Sequence, residues 1–231
     1  MLFPHGFART LQAVSLNTAG GVTGGDRFHI SAEAEAGAAL VLTTQAAERI
    51  YRAQPGEVGQ VRSVLTVGPG ARLDWLPQET ILYDRAALDR RLEAEVAPDG
   101  QLLAVEPVIF GRHAMGEVVE SGHLSDLWRI RRGGELVFAD NFRLSGDIHT
   151  QLGRVAGGAG AMASLLLVAP DAERHLDRLR MAIGLQGGAS LIRPGVLFAR
   201  CLAEDGFLLR QSLLPAIRTL SGEDLPKTWM L

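Results

Sequence analysis

Lysine is almost absent from this chain of 231 residues, since Lys227 stands against 22 arginines. A nucleotide-binding P-loop needs a lysine directly after its glycines to reach the phosphates. Lys227 follows Leu225-Pro226 and has no such loop before it. The sequence therefore excludes a P-loop GTPase or ATPase. The net charge of -3 also gives no reason to expect nucleic acid, which usually requires a basic face.

Cysteine is equally scarce. The single Cys201 allows neither an internal disulfide nor a thiolate metal cluster, and its apolar neighbours predict a buried strand. The six histidines are scattered without an i, i+4 pair, so no high-affinity His/Cys metal site is indicated. The first residues lack the apolar run of a signal peptide, and no stretch has the apolar length needed to span a bilayer. We expect a cytoplasmic protein.

Strand patterns dominate residues 11–145. From Phe28 to Glu35 apolar and polar residues alternate, which is typical of a half-buried strand. Residues 71–75 and 92–96 alternate in the same way. Glycine and proline separate these runs at 68–70 and 98–100, where we predict turns.

A weak internal repeat lies within this strand-rich part. Gly37–Leu40 recurs 33 residues later as Gly70–Leu73, and a glutamine follows each copy at the same distance. A fainter third copy starts at Gly100, with Leu103 in the place of Leu73. Strand-turn-strand units repeated at this spacing predict stacked, coil-like β-sheet layers.

Helical spacing occurs only near the end of the chain. Pro170-Asp171 opens a segment with apolar residues at 172, 176, 179 and 183, and Gly184 ends it. A second helix is predicted near Phe207–Leu220, where Pro215 should shorten or kink it. No linker divides the chain. We predict a single domain over residues 1–231, mainly β, with two C-terminal α-helices packed on the β body.

Four polar segments stand out between the strands. If the repeat stacks, the last three emerge from the same side of the β body. The four segments are Gly20–Asp26 (GGVTGGD), Thr43–Arg52 (TTQAAERIYR), Leu76–Ile81 (LPQETI) and Gly111–Glu117 (GRHAMGE). All four, in this order, resemble the motifs of the urease accessory proteins called UreD, or UreH in some organisms. The closing segment Leu225–Trp229 is similar too, so the resemblance covers essentially the whole chain.

The resemblance implies a non-enzymatic chaperone-like role. Members of this family join an F-type accessory protein and a G-type GTPase, and this complex binds apo-urease and supports nickel insertion into the urease active site. No tightly bound cofactor is expected, only transient nickel(II). The family usually carries strands before the first motif, where this chain has only Met1 to Ala19, so we expect those N-terminal strands to be missing.

The family motifs also indicate which residues to examine. As binding residues the resemblance proposes seven polar side chains: Asp26, Thr43, Gln45, Glu48, Tyr51, Gln78 and Arg112. Asp26, Glu79 and Glu117 are further expected to line a polar passage that hands on nickel, because nickel(II) accepts carboxylate, imidazole and water. Two structural alternatives stay open: Asp26 capping its glycine turn, and Glu117 pairing with Arg112. A different class of function, a hydrolase using clustered carboxylates, also stays open.

Overall fold

The computed structural model describes residues 1–4 and 10–230, and in this part the chain is mainly β, as predicted. The strands are β1 Leu11–Ser15, β2 Arg27–Ala34, β3 Ala39–Thr44, β4 Glu48–Ile50, β5 Gly59–Val67, β6 Arg72–Leu76, β7 Thr80–Leu82, β8 Ala87–Val96, β9 Gln101–Phe110, β10 Ser121–Arg132, β11 Glu135–Asp147, β12 Ala161–Val168, β13 Gly187–Arg193 and β14 Val196–Ala203. The helices are α1 Ile148–Val155, α2 Leu176–Ile183 and α3 Gly206–Ser221. None of these helices is long and apolar enough to cross a membrane.

The strands form two sheets that face each other. The first has nine strands, with β1-β3-β6-β9-β12-β14-β13 in order and the short β4 and β7 beside them. The second has five, in the order β11-β10-β8-β5-β2. Successive turns of the chain add parallel strands to both sheets, as β2-β5-β8 in one and β3-β6-β9 in the other. This is the stacked, coil-like arrangement that the repeat predicts.

The register confirms the first two copies of the repeat and corrects the third. Leu40 pairs with Leu73, as the offset of 33 requires. In the next layer, however, Leu73 pairs with Leu102, so Leu103 is one residue out of place. The cause is the turn before β9. The amide of Gln101 donates to the carbonyl of Ala71, so Gly100 takes the tightly packed position of Ala71 and not that of Gly70.

Apolar side chains fill the space between the sheets and a second layer outside the nine-stranded sheet. Between the sheets, residues such as Leu42, Leu73, Leu92 and Trp128 alternate inward from both sides. On the opposite face of the nine-stranded sheet, α3 covers the outer side chains of β9, β12 and β14, and α2 packs against α3 and β13. The predicted packing of C-terminal helices on a β body is therefore confirmed.

The helices differ from the prediction in two respects. α1 was not expected, because its eight residues bury only Ile148 and Leu152; Asp147 begins it by accepting a hydrogen bond from the amide of Thr150. α3 runs over 16 residues through Pro215, so Pro215 does not shorten it, and the alternative of a kink there stays a prediction. α2 ends at Gly184, as predicted, and Cys201 lies buried in β14. The single domain and the missing N-terminal strands stay predictions.

Candidate functional site

The stacked layers bring three of the four motifs to one end of the β body. β4 pairs with β7 and β7 with β9, so that Ile50, Leu82 and Phe110 lie one above another. The residues that leave these strands are Tyr51, Tyr83 and Gly111. The expectation that these segments emerge on the same side is therefore confirmed.

An aromatic and ionic cluster forms where the chain leaves these strands. The rings of Tyr51 and Tyr83 meet edge to face with centroids 5.2 Å apart, and the guanidinium carbon of Arg112 lies 4.3 Å from the centroid of Tyr83. Arg112 binds Glu117 through Nε and Nη2, at 2.8 and 2.9 Å. These hydrogen bonds hold the pKa of Glu117 below its usual value. We call Tyr51, Tyr83, Arg112 and Glu117 the Tyr–Arg cluster.

The glycine-rich first motif supports this cluster from the side. The hydroxyl of Tyr51 donates to the carbonyl of Gly20 at 3.1 Å. A Cβ on Gly21 would lie 2.4 Å from the Tyr51 ring, so the ring requires glycine there. At the other end of the motif Asp26 accepts a hydrogen bond of 2.9 Å from the amide of Thr23. Asp26 thus caps its own turn, as one of the two structural alternatives stated.

The LPQETI motif fastens the C-terminal segment to the nine-stranded sheet. The buried Glu79 pairs with Nε and Nη2 of Arg210, from α3, at 2.6 and 3.0 Å. The side-chain amide of Gln78 donates to the carbonyl of Thr228 at 2.8 Å. The indole of Trp229 donates to the carbonyl of Leu76 at 3.1 Å. Gln78 and Glu79 therefore act as structural contacts between sheet and helix, and Thr43 joins them with its hydroxyl 3.5 Å from that of Thr228.

A cavity of about 490 Å³, lined by both polar and apolar side chains, enters the protein beside this end of the β body. Its mouth is formed by the surface residues 17–20, and its depth reaches Trp75, Arg90 and Glu106 between the sheets. Glu48 lies on its wall and accepts a hydrogen bond of 2.9 Å from the side-chain amide of Asn17. Partial burial raises the pKa of Glu48. We call this space the interior cavity.

A buried ion cluster forms the floor of the interior cavity. Arg90 of β8 binds Glu106 of β9 at 2.5 Å and Asp126 of β10 at 2.6 Å, and thereby joins the two sheets. The indoles of Trp75 and Trp128 donate to Glu106 and Asp126, at 2.8 and 3.1 Å. Burial raises the pKa of Glu106 to about 7, against the opposing effect of Arg90. Every polar group of this cluster is satisfied.

The predicted site residues therefore lie in four places. Gln45, Glu48 and Gln78 line the interior cavity, and Tyr51, Arg112 and Glu117 belong to the Tyr–Arg cluster. Thr43, Gln78 and Glu79 hold the C-terminal segment, and Asp26 caps its turn. In residues 1–4 and 10–230 no three His, Cys, Asp or Glu side chains come close enough to hold a metal ion. Asp26, Glu79 and Glu117 thus do not form one site.

Sequence reasoning missed Arg90 and Asp126. Both occupy inward positions of alternating strands, between Leu88 and Leu92 in β8 and between Leu124 and Trp128 in β10. A charged residue at a core position is rare unless it is paired, so this alternation is the signal that points to them. Their convergence on Glu106 depends on how two sheets face each other, which the sequence pattern does not show.

Comparison with known proteins agrees with the motifs. The chain matches the family described as UreD urease accessory protein over residues 2–229. It is 53% identical to the urease accessory protein UreD of Ruegeria pomeroyi, over all of this chain and 90% of that protein. It is 48% identical to UreD of Roseobacter denitrificans, over all of this chain and 85% of the relative. With Rhizobium leguminosarum bv. viciae UreD it shares 48% identity over 99% of this chain and 84% of the relative. The chain belongs to the UreD family of urease accessory proteins.

Proposed function

We propose that this chain is a non-enzymatic scaffold that joins an F-type accessory protein and a G-type GTPase, binds apo-urease with them, and supports nickel insertion into the urease active site. The family name supports the role in urease maturation. The observation that carries the transfer of nickel is the interior cavity, whose lining includes residues of the GGVTGGD, TTQAAERIYR and LPQETI motifs. The proposal places this work in the cytoplasm, with nickel(II) as transient cargo.

The chemistry of the cavity suits a weakly bound divalent cation. Glu48 on the wall offers carboxylate oxygens, and nickel(II) accepts carboxylate and water as ligands. A passage must bind its ion well enough to admit it and weakly enough to release it. A single carboxylate on the wall meets this requirement better than a cluster of three would.

Glu48 is the residue of choice for a test. Its side chain faces the cavity and is held by the neutral Asn17, so Glu48→Gln removes the charge and leaves no buried cation without a partner. Glu79→Gln is the contrasting change, because Glu79 is paired with Arg210. Asp26→Asn and Glu117→Gln extend the series to the remaining carboxylates of the motifs.

The assay is the activation of apo-urease by the full accessory complex in limiting nickel. For Glu48→Gln we expect normal assembly by size-exclusion chromatography but about a threefold to tenfold lower nickel content. Two unit charges about 4 Å apart in water attract each other by about 1 kcal/mol, and about 1.4 kcal/mol is tenfold in affinity. Glu79→Gln should instead weaken folding or assembly. Normal nickel content and urease activity with Glu48→Gln would contradict transfer through the cavity. Failure of wild-type protein to co-purify with apo-urease would contradict the scaffold itself.

A further inference from the structure

Three arginines and two tyrosines surround an open groove next to the Tyr–Arg cluster. The groove has a volume of about 540 Å³ and is lined by Tyr51, Arg52, Tyr83, Asp84, Arg85, Arg112 and Glu117. It lies on the surface, apart from the deep wall of the interior cavity. We call it the arginine groove.

The carboxylates in the arginine groove are already engaged. Both oxygens of Glu117 accept hydrogen bonds from Arg112. Asp84 accepts from the amide of Ser121 at 3.1 Å through one oxygen, and its other oxygen lies 3.4 Å from Arg85. In the described part of the chain, the guanidinium of Arg52 has neither an ion pair nor a hydrogen bond. The groove thus offers more positive charge than the protein itself neutralises.

The backbone at Arg85 is held in a conformation that disfavours any side chain. Arg85 has φ of 61°, and among the described residues it is the only one other than glycine with positive φ. The turn is fixed from both sides. The amide of Arg85 donates to the carbonyl of Ser121 at 2.8 Å, and its carbonyl accepts from Ala53 at 3.0 Å.

The side chain of Arg85 makes no strong contact that would offset this backbone strain. It is 58% exposed and makes only the loose pair with Asp84, and exposed pairs of this kind stabilise proteins weakly. Glycine would relieve the strain at this position. An arginine that occupies a strained position without a strong internal partner points to a partner outside the folded chain.

We propose that the arginine groove binds an acidic segment of a partner protein. Guanidinium groups bind carboxylates in a bidentate, planar geometry, and Arg52 and Arg85 present free donors for such contacts. Tyr51 and Tyr83 supply an apolar surface with polar tips for the backbone and stems of that segment. Tyrosine and arginine, together with tryptophan, are the residues enriched at the positions that contribute most of the affinity of protein interfaces. The proposal stands on the groove alone and does not depend on nickel transfer.

The test uses the full-length protein and a fluorescein-labelled peptide of eight glutamates, with a peptide of eight glutamines as the uncharged probe. Fluorescence anisotropy should show binding of the glutamate peptide only. Arg52→Gln combined with Arg85→Gly should weaken binding at least tenfold without lowering the melting temperature, because glycine suits the backbone at residue 85. Arg178→Gln, an exposed arginine on α2, is the matched control and should change binding less than twofold.

Two results would overturn the proposal. The first is equal affinity for both peptides, or equal weakening by Arg178→Gln and the groove variants, because binding would then reflect overall charge. The second concerns the ligand class. If inorganic phosphate binds the groove as tightly as the glutamate peptide and Tyr51→Ala has no effect, the groove is a small-anion site and not a site for a protein segment.

Discussion

Arg90 holds two carboxylates in the middle of the protein, so its cluster carries an excess negative charge when both are ionised. Burial raises the pKa of Glu106 from 4.5 to about 7, Arg90 opposes this, and the charge of Asp126 adds to it. The folded protein therefore binds the proton of Glu106 more tightly than the unfolded chain does. The contribution of this tighter proton binding to the free energy of unfolding is fully present below pH 4.5 and is lost as the pH rises through about 7.

Glu106→Gln should remove this pH dependence. We expect the free energy of unfolding of the variant, relative to wild type, to increase by roughly 1–3 kcal/mol between about pH 5 and about pH 8, because only the wild type must lose a proton from its core. Urea denaturation at several pH values measures the difference. Glu33→Gln, which removes a charge from the exposed face of β2, is the control and should run parallel to wild type. If the free energy of unfolding of Glu106→Gln also stays parallel to that of wild type across this pH range, Glu106 is ionised at every pH tested.

At this scale the sequence shows which residues are unusual but not which ones meet. Glu106 stands out in an apolar strand, and Asp26, Glu79 and Glu117 stand out in motifs. The partners of Glu79 and Glu106 lie 131 and 16 residues away, on other elements. Such pairs depend on the packing of sheets and helices, whereas Glu117 finds Arg112 five residues away and was foreseen as an alternative.

At the scale of elements, α2 covers the nine-stranded sheet with one narrow face. Leu179 and Ile183 are buried, while Met181, between them in sequence, is 76% exposed. Their spacing of four places both buried residues on the same side of the helix. The stability of this helix therefore depends on a few side chains that contact the sheet.

Leu179→Ala should destabilise the protein by about 2–5 kcal/mol, because it removes buried methyl groups and leaves a cavity. Met181→Ala is the control on the same helix and should change the free energy of unfolding by less than about 0.5 kcal/mol. Both values follow from urea denaturation with the m-value held constant. A Leu179→Ala protein as stable as wild type would mean that α2 does not pack on the sheet in solution.

The elements were predictable where a local pattern controls them. The alternation of apolar and polar residues predicted β2, β6 and β8, and the spacing of apolar residues by three and four predicted α2. α1 has only two buried residues, too few for a periodic pattern to be visible. In α3 the packing of Leu209, Leu213 and Ile217 against the sheet outweighs the hydrogen bond that Pro215 cannot donate, so tertiary contacts override the local preference there.

At the scale of the whole molecule, the layered strands explain how segments distant in sequence reach one end of the protein. In each layer, the residue that follows the short strand lies above the corresponding residue of the preceding layer. The rings of Tyr51 and Tyr83 therefore meet although 32 residues separate them. The internal repeat in the sequence predicted this convergence. It did not show that the LPQETI segment would turn its Gln78 and Glu79 toward α3, since the sequence assigns no position to that helix.

The hydrolase alternative requires an available carboxylate pair or a nucleophile. Glu106 and Asp126 share Arg90, and burial raises the pKa of the Cys201 thiol to about 12, which makes it unreactive. One surface trio has the residue types of a nucleophilic site: Nε2 of His123 lies 2.9 Å from Asp89, and its Nδ1 lies 3.4 Å from the hydroxyl of Ser145. These three residues are neighbours on adjacent strands of the five-stranded sheet.

We predict that the pure chain hydrolyses neither GTP nor urea. The reasons are the missing P-loop and the engagement of Glu106 and Asp126 by Arg90 and two indoles, which occupies the carboxylate oxygens that would have to reach a substrate proton. Phosphate release from GTP and ammonia release from urea should equal those of buffer, and Ser145→Ala should leave both unchanged. Turnover that keeps a constant specific activity through successive columns and is lost in Ser145→Ala or Glu106→Gln would establish an enzyme in place of the scaffold.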